Sequence, residues 1–186
     1  MISALGRTSV RIATCLLGIA IACAGAGACA QKPALPSAEV DACLHSAARK
    51  YAVSYELLRA IAEQESRFNA AAIGGTNANG SRDHGLMQIN DAWLPQLARF
   101  NIQLADLYRP CVNAEVGAWI LAQNIRDLGL TWNAVGAYNA ASPGKRQAYA
   151  SAIYQRLLHQ AVASLPQTQQ IAGASSGAMG VWEGDQ

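Results

Sequence analysis

The chain has 186 residues, a formal net charge of +2, 52% hydrophobic residues and only 14% charged residues. This length accommodates one domain with tails, and a chain so apolar and weakly charged is not a disordered one. Its 14 basic residues nearly balance its 12 acidic ones, which excludes an electrostatic footprint for nucleic acid, and its five cysteines leave an odd one to be explained.

The beginning of the chain has the organisation of a secretion signal. Two arginines provide a basic start, and an uncharged stretch rich in Ala, Ile, Leu, Cys and Gly follows over residues 12–24. That stretch is short for a membrane span, and the small residues after it fit the small-x-small cleavage rule. The pattern predicts a signal peptide over residues 1–30, cleaved after Ala30. Cleavage after Ala26 or Ala28, lipid attachment at a cysteine and an uncleaved signal anchor are the alternatives.

Removal of this segment would change the charge and the cysteine count. Two basic residues leave, so 12 basic residues balance 12 acidic ones and the mature chain is neutral. Three of the five cysteines also leave, and Cys43 and Cys111 remain. Two cysteines in an exported protein indicate one disulfide, with two free thiols or a metal pair as alternatives. The disulfide is favoured because no His or further Cys lies at metal-ligand spacing beside either cysteine.

The rest of the chain divides into a leader, a domain and a tail. Residues 31–36 contain two prolines and are interpreted as an extended leader. Residues 37–165 carry apolar side chains at helical spacing and form the predicted domain. Residues 166–186 are rich in Gln, Ala, Gly and Ser and are interpreted as a flexible tail, in which Val181 and Trp182 are either a docking anchor or incidental.

The domain begins with two capped helices and a loop. Ser37 is expected to cap a helix that runs to about Tyr51, and Ser54 a second helix that runs through Phe68. Residues 69–85 are rich in Gly, Asn, Ser and Ala and have no apolar period, which indicates a loop.

Further helices follow this loop. A short helix is predicted after Asp91, then one over residues 113–128 that Gly129 stops, and one that Thr131 caps through Asn139. The final helix follows a Ser-Pro-Gly turn at residues 142–144. No strand alternation is sustained. We therefore predict a mainly α fold, with the Gly/Asn loop as the place for a small β-hairpin.

One carboxylate does not fit the polarity of its helix. Glu65 lies four residues after Ile61 and three before Phe68, on the apolar stripe of the second helix. A carboxylate among apolar neighbours loses hydration, which raises its pKa from about 4.3 toward the range in which it donates a proton at neutral pH. The alternative is a glutamate at the rim of the stripe, or one paired with Arg59 or Arg67.

Three segments around and after this carboxylate carry a resemblance to a known family. They are Glu65-Ser66-Arg67-Phe68, Gly85-Leu86-Met87-Gln88-Ile89-Asn90 and Ala137-Tyr138-Asn139-Ala140. In this order, over roughly residues 40–160, they resemble the soluble lytic transglycosylase family with its lysozyme-like fold. The similarity is to small single-domain members that accompany type III and type IV secretion machines and pili. The pair Cys43 and Cys111 also resembles the cysteine pair of that subgroup.

The resemblance implies roles for individual residues. Glu65 matches the single catalytic acid and base of the family, and Tyr138 matches the tyrosine that hydrogen-bonds this glutamate. The other matched positions, expected with Tyr138 to form the glycan-binding site, are Ser66, Met87, Gln88 and Asn139. The chain departs from the family pattern at Asn69, where a proline is usual, and at His84, where an aromatic or aliphatic residue is commoner.

The resemblance also implies a reaction. Glu65 would protonate the bond between N-acetylmuramic acid and N-acetylglucosamine, and then accept the proton of the muramyl 6-hydroxyl. That hydroxyl attacks its own sugar's anomeric carbon and leaves a 1,6-anhydro end. Because the nucleophile is internal, no second carboxylate is required. Asp83 in a polar loop and Asp91 as a helix cap have simpler interpretations.

We therefore expect a periplasmic enzyme that opens peptidoglycan locally for a secretion or pilus machine. Its expected partners are glycan strands and components of that machine, with no nucleic acid, no cofactor and no stable membrane span after signal cleavage. No metal is expected, since His45, His84 and His159 are scattered. A lysozyme-type muramidase that uses water and a non-catalytic peptidoglycan-binding subunit are the alternative hypotheses.

Overall fold

A computed structural model describes residues 35–165 of the chain. The predicted signal peptide over residues 1–30, most of the leader and the tail over residues 166–186 lie outside the described residues. Across the described part, no helix has both the length and the apolar character that crossing a membrane requires.

The described chain is mainly helical, as predicted. Its helices are α1 (Ala38–Tyr51), α2 (Tyr55–Ser66), α3 (Leu94–Leu97), α4 (Pro110–Leu128), α5 (Trp132–Gly136) and α6 (Pro143–Ala163). Short 3₁₀ helices lie at Asp91–Trp93, Ala98–Phe100 and Leu104–Tyr108. Strands β1 (Asp83–His84) and β2 (Ile89–Asn90) pair antiparallel, with Asp83 opposite Asn90 and His84 opposite Ile89. The hairpin therefore begins at the end of the Gly/Asn loop and closes around residues 85–88.

The first two helices start where the sequence places their caps. The Ser37 hydroxyl accepts the amide of Val40 at 3.2 Å, and the Ser54 hydroxyl accepts the amide of Leu57 at 3.1 Å. These bonds satisfy backbone donors that the first turn of a helix leaves open.

Helix α2 ends two residues before the predicted end. Arg67 and Phe68 both have positive φ, of 53° and 65°, so the chain leaves the helix directly after Ser66. Phe68 turns back and is buried in the core. As a result Glu65 occupies the last turn of α2, where its side chain is not enclosed by a following turn.

The boundaries of the later helices also differ from expectation. Helix α4 begins at Pro110, because proline suits the first position of a helix, and Gly129, with φ of 74°, ends it as predicted. Helix α5 stops at Gly136, three residues before the predicted Asn139. Pro143 is the first residue of α6 rather than part of a preceding turn.

Helix α4 packs against more of the described elements than any other helix does. It contacts α1, α5, the hairpin strand β2 and the 3₁₀ helix at Leu104–Tyr108. Cys43 of α1 and Cys111 of α4 form a disulfide, with Cα atoms 4.5 Å apart. Met87 lies against Gly117 of α4, where an added Cβ would come within 2.8 Å of the methionine Cγ. Fully buried side chains of the core include Leu44, Leu58, Ile61, Leu121 and Ile153.

Loss of the disulfide is expected to destabilise the domain. The two cysteines are 68 residues apart, so the crosslink restricts the unfolded chain strongly, by about 4 kcal/mol or less in the chain-entropy account. In urea unfolding, the double variant Cys43→Ala/Cys111→Ala should have a lower midpoint than the oxidised parent. The reduced parent is the control and should resemble the double variant. Equal midpoints for all three proteins would contradict this prediction.

Candidate active site

Glu65 faces a cleft between the hairpin and the segment that joins α5 to α6. The cleft has a volume of about 850 Å³. Its polar walls include Asp83, Gln88, Asn90, Tyr138, Asn139 and Lys145. A carboxyl group thus lies beside amide, hydroxyl and ammonium groups in an opening large enough for part of a polymer. We call this opening the cleft.

The hydroxyl of Tyr149 donates a hydrogen bond to Oε1 of Glu65. Tyr149 projects from the first half of α6, which packs against α2. Burial raises the pKa of Tyr149 well above its ordinary value, so the phenol keeps its proton and acts as a donor. One carboxyl oxygen is held, and the other is left for a ligand.

The tyrosine predicted to contact Glu65 makes a different bond. The hydroxyl of Tyr138 donates to the carbonyl oxygen of Met87 at 3.0 Å. The two tyrosine rings are nearly parallel, with centroids 6.5 Å apart. Tyr138 therefore joins the α5–α6 segment to the hairpin, and the contact with Glu65 expected of it belongs to Tyr149. The motif around Tyr138 places the residue in the cleft but does not specify which way its hydroxyl points.

The pKa of Glu65 is raised from 4.5 to about 7. Loss of hydration on burial is the main cause, and the Tyr149 hydrogen bond to the carboxylate opposes it. The negative charge of Asp83 raises the pKa further, whereas the guanidinium of Arg156 lowers it. A pKa near neutrality lets one carboxyl group both donate and accept a proton, as the polarity of α2 indicated.

Arg156 of α6 is held by two residues of α2 that directly precede Glu65. Its Nε donates to the side-chain oxygen of Gln64 at 2.7 Å, and its Nη1 lies 3.3 Å from a carboxylate oxygen of Glu63. Glu63 is only 8% exposed, so this ion pair compensates a buried charge. The contact ties α6 to α2 two turns beyond Tyr149. Among the alternatives raised for Glu65, Arg59 instead lies over the ring of Phe68.

Asp83 is a site residue that the sequence pattern did not identify. The pattern indicates a polar loop, whereas in the structure β1 brings Asp83 into the cleft with Glu65. Asn90 donates to one of its oxygens at 2.8 Å and Asn77 to the other at 3.3 Å. Its position two residues before Gly85 was a usable signal, because the motif that begins at Gly85 ends in its cross-strand partner Asn90. The cap expected from Asp91 is supplied by Asn90, which accepts the amide of Ala92 at 3.0 Å.

Ser66 and Met87, two residues assigned to glycan binding, are not among the residues that line the cleft. The Ser66 hydroxyl donates to the carbonyl of Leu86 at 2.7 Å. Met87 is fully buried against Gly117, so its side chain does not line the cleft. The prediction that the Met87 side chain contacts substrate is corrected to a supporting role, because that side chain is buried. Ser66 is only partly buried, and its contact with substrate stays a prediction.

Gln88 and Asn139 do lie in the cleft, together with Tyr138. The backbone of Gln88 has φ of 47°. Its side-chain nitrogen Nε2 donates to the carbonyls of Gly85 at 2.9 Å and Ala72 at 3.3 Å. These bonds fix the glutamine side chain to the backbone at Gly85 and Ala72. Its place in the same cleft as Glu65 and Asn139 suits contact with a ligand.

Asn113 was expected only to open a helix, yet it organises the hairpin. Its buried side-chain oxygen accepts the amide of Met87 at 2.7 Å. Its nitrogen donates to the carbonyls of His84 at 2.9 Å and Leu107 at 2.7 Å. Gly85 is required here, because it has φ of 76° and an added Cβ would lie 2.4 Å from the Asn113 nitrogen.

His84 and His45 contact side chains of the fold outside the cleft. His84 is buried, with Nδ1 2.8 Å from the Tyr108 hydroxyl and Nε2 3.5 Å from Asp91. His45 stacks on Tyr55. Within residues 35–165, no group of three or more His, Cys, Asp or Glu side chains is placed to hold a metal ion.

Comparison with known proteins gives consistent matches. The family model described as "Transglycosylase SLT domain" matches residues 42–155, more than half of the chain. Protein IpgF of Shigella flexneri is 40% identical over 127 residues, which are 66% of this chain and 83% of that protein. Invasion protein IagB of Salmonella typhi is 43% identical over 105 residues, 56% of this chain and 65% of that protein. The latter match spans just under two thirds of the relative.

A solved structure shares the fold. It is an inactive mutant of the lytic transglycosylase Slt from Pseudomonas aeruginosa, with a TM-score of 0.51 and 24% sequence identity. The likeness covers 62% of this chain and 23% of that one. At this identity the match shows the fold alone, and it agrees with the lysozyme-like architecture expected from the sequence.

The raised pKa of Glu65 predicts a pH-dependent stability difference. Because the folded protein binds this proton more tightly than the unfolded chain does, the contribution to stability is full below about pH 4.5 and is lost as the pH rises through about 7. Glutamine cannot ionise. The free energy of unfolding of Glu65→Gln should therefore gain on the parent between pH 5 and 7.5, by up to about 3 kcal/mol.

Glu56→Gln on the same helix is the matched control. Bonds from its own backbone amide and from Ser54 lower the pKa of Glu56, so its carboxylate stabilises the fold above its titration range. Because that contribution is complete above about pH 4.5, the stability difference between Glu56→Gln and the parent should stay constant from pH 5 to 7.5. Parallel stability curves for Glu65→Gln and the parent would refute the burial of Glu65 as an ionisable group.

Removal of the Tyr149 hydroxyl should raise the pKa of Glu65 above about 7. Its hydrogen bond stabilises the carboxylate, and Tyr149→Phe deletes only that bond. The change can be followed by NMR titration of the Glu65 carboxyl carbon. Tyr154→Phe is the control, because Tyr154 is on the same helix but half exposed. A downward shift in Tyr149→Phe, or equal shifts in both variants, would contradict the assignment.

Proposed function

The chain belongs to the family of transglycosylase SLT domains and is a peptidoglycan lytic transglycosylase, and we propose that Glu65 is its single catalytic acid and base. The bond cleaved is that between N-acetylmuramic acid and N-acetylglucosamine. The observation that carries the proposal is a carboxyl group with a pKa of about 7, held by Tyr149 at the wall of the cleft.

The first step is protonation of the leaving oxygen. At neutral pH a large share of Glu65 carries its proton, which it donates to the glycosidic oxygen as the bond to the anomeric carbon breaks. Tyr149 holds Oε1 and thereby orients the second carboxyl oxygen toward the bond. Loss of the proton leaves a carboxylate, which the Tyr149 hydrogen bond and the charge of Arg156 stabilise.

The second step forms the 1,6-anhydro ring. The muramyl 6-hydroxyl gives its proton to the Glu65 carboxylate while its oxygen bonds to the anomeric carbon. The proton lost in the first step is thereby regained, and no water is consumed. The nucleophile belongs to the same sugar, so its attack does not require a second molecule to be bound and ordered.

Asp83 is assigned to stabilisation of the charge that develops between these steps. The anomeric carbon becomes oxocarbenium-like in the transition state, and a carboxylate in the same cleft lowers the energy of that positive charge. Asn77 and Asn90 hold the Asp83 side chain in place. The same carboxylate favours a second candidate, a muramidase in which Asp83 assists hydrolysis by water.

We place this enzyme in the periplasm, exported by the predicted signal peptide. Peptidoglycan lies outside the cytoplasmic membrane, so the enzyme must cross that membrane to reach it. The proposed working protein is the domain over residues 37–165 with its leader and its tail over residues 166–186. The resemblance to secretion-associated members and the similarity to Invasion protein IagB support local opening of the wall for a secretion or pilus machine.

Analysis of the products distinguishes the two reactions. Purified sacculi digested with the protein should release muropeptides with 1,6-anhydro ends, which are lighter by one water than the hydrolysed products and are separable by mass spectrometry. Hydrated reducing ends without anhydro ends would establish the muramidase instead.

Replacement of Glu65 tests the assignment of the acid and base. Glu65→Gln should lower the rate of sacculus digestion by about 10²–10⁴-fold, the usual contribution of such a group. Glu56→Gln, on the exposed side of α2, should retain the parent rate. Digestion by Glu65→Gln at the parent rate would refute the proposal.

Replacement of Asp83 tests its separate role. Asp83→Asn should reduce the rate while the remaining products keep their anhydro ends, because charge stabilisation is weakened and the internal nucleophile is unchanged. A switch in the ratio of anhydro to hydrated ends would show that Asp83 instead selects the nucleophile.

A further inference from the structure

A second groove lies between α5 and α6, outside the cleft. Its volume is about 500 Å³. We call it the side groove and define it by Trp132, Asn133, Arg146, Gln147, Ser151 and Tyr154. Trp132 and Tyr154 are 47% and 46% exposed, and their rings meet edge to face with centroids 5.5 Å apart. Two large aromatic side chains are therefore presented to solvent beside amide, hydroxyl and guanidinium groups.

This combination of groups suits a sugar ring. The C–H face of a pyranose packs on an aromatic face, and its hydroxyl and acetamide groups bond to flat polar side chains such as Asn, Gln and Arg. An aromatic pair intended for the core would be covered by apolar neighbours. Here Pro143 and Ala150 add apolar surface, and amide, hydroxyl and guanidinium side chains lie beside it, so the groove offers both kinds of contact at one place.

A smaller cavity neighbours both the cleft and the side groove. We call it the bridging cavity, and its volume is about 440 Å³. It shares Tyr138 and Asn139 with the cleft, and it shares Arg146 with the side groove. The three openings are therefore neighbours on the surface between Glu65 and Trp132. A polymer that is cut at Glu65 must continue beyond the cleft, and this is a path open to it.

Arg146 is held at the junction of the two openings. Its Nε donates to the carbonyl of Ala140 at 2.9 Å, and its Nη1 donates to the side-chain oxygen of Asn133 at 3.4 Å. Gly136 permits the close approach of α5 to α6 here, because an added Cβ would lie 2.4 Å from the Arg146 carbonyl oxygen. The junction is thus built by packing rather than by a mobile surface side chain.

We propose that the bridging cavity and the side groove bind the continuation of the glycan strand that is cut at Glu65. The ligand class is a β-1,4-linked N-acetylhexosamine oligosaccharide longer than the cleft alone can hold. This inference rests on the proposed function for its polymer, but it concerns binding at Trp132 and Tyr154 and not the chemistry at Glu65. The enzyme therefore prefers long strands to short fragments.

Calorimetry with oligosaccharides of two lengths tests the proposal. Chains of four and of eight β-1,4-linked N-acetylglucosamine units are titrated into the full chain carrying Glu65→Gln, which prevents turnover. Adding Trp132→Ala or Tyr154→Ala should weaken binding of the eight-unit chain by about tenfold each, because ring stacking is lost. Binding of the four-unit chain should change less than twofold. Leu130→Ala is the matched control, since Leu130 is 82% exposed two residues before Trp132 but does not line the groove.

Three outcomes would overturn the proposal. Unchanged affinity for the eight-unit chain in both aromatic variants would leave the side groove without a role in glycan binding. Equal losses for both lengths would indicate a general structural effect. Binding that becomes sensitive to Trp132→Ala only after deletion of residues 166–186 would make the tail the occupant of the groove. Failure of the proposed reaction is distinguishable, because absence of anhydro ends in digests of the parent would leave the length-dependent affinities unaltered.

Discussion

The side chain of Asn113 carries the constraint on which the cleft depends. Two of its three hydrogen bonds hold the chain from His84 to Met87 against the first turn of α4, and the third holds the carbonyl of Leu107. Each bond contributes about 1 kcal/mol net, and an unsatisfied buried group left behind by its loss would cost more. Because the backbone comes so close, Gly85 is the residue that fits at the turn.

Both walls of the cleft attach to the segment that Asn113 holds. Ser66, the neighbour of Glu65, donates to Leu86, and Tyr138 donates to Met87. The acid on α2 and the residues between α5 and α6 are therefore positioned by the same few backbone carbonyls. A hairpin of only two paired residues on each strand would be marginal alone, and this support explains how it holds Asp83 in place.

The pKa of Glu65 is set by four influences, two that raise it and two that lower it. Burial and the charge of Asp83 disfavour its carboxylate, while Tyr149 and Arg156 favour it. The balance leaves a pKa of about 7, which suits a group that must give up a proton and take one back. Both favouring residues come from α6, and the ion pair of Arg156 with Glu63 fixes that helix to α2. The helix pairing thus determines the chemistry of the carboxyl group.

The amino-acid sequence by itself determined the helical character, the caps at Ser37 and Ser54, the stop at Gly129 and the candidate acid at Glu65. These features depend on local hydrogen bonds and on the periodicity of one helix, so neighbouring residues contain the information. Tertiary structure alone decided that Tyr149 rather than Tyr138 contacts Glu65, that Met87 is buried, that Asp83 enters the cleft and that Asn113 holds the hairpin. Each of these depends on the direction of a side chain between elements distant in sequence, because packing of α6 on α2 and of the hairpin on α4 fixes that direction.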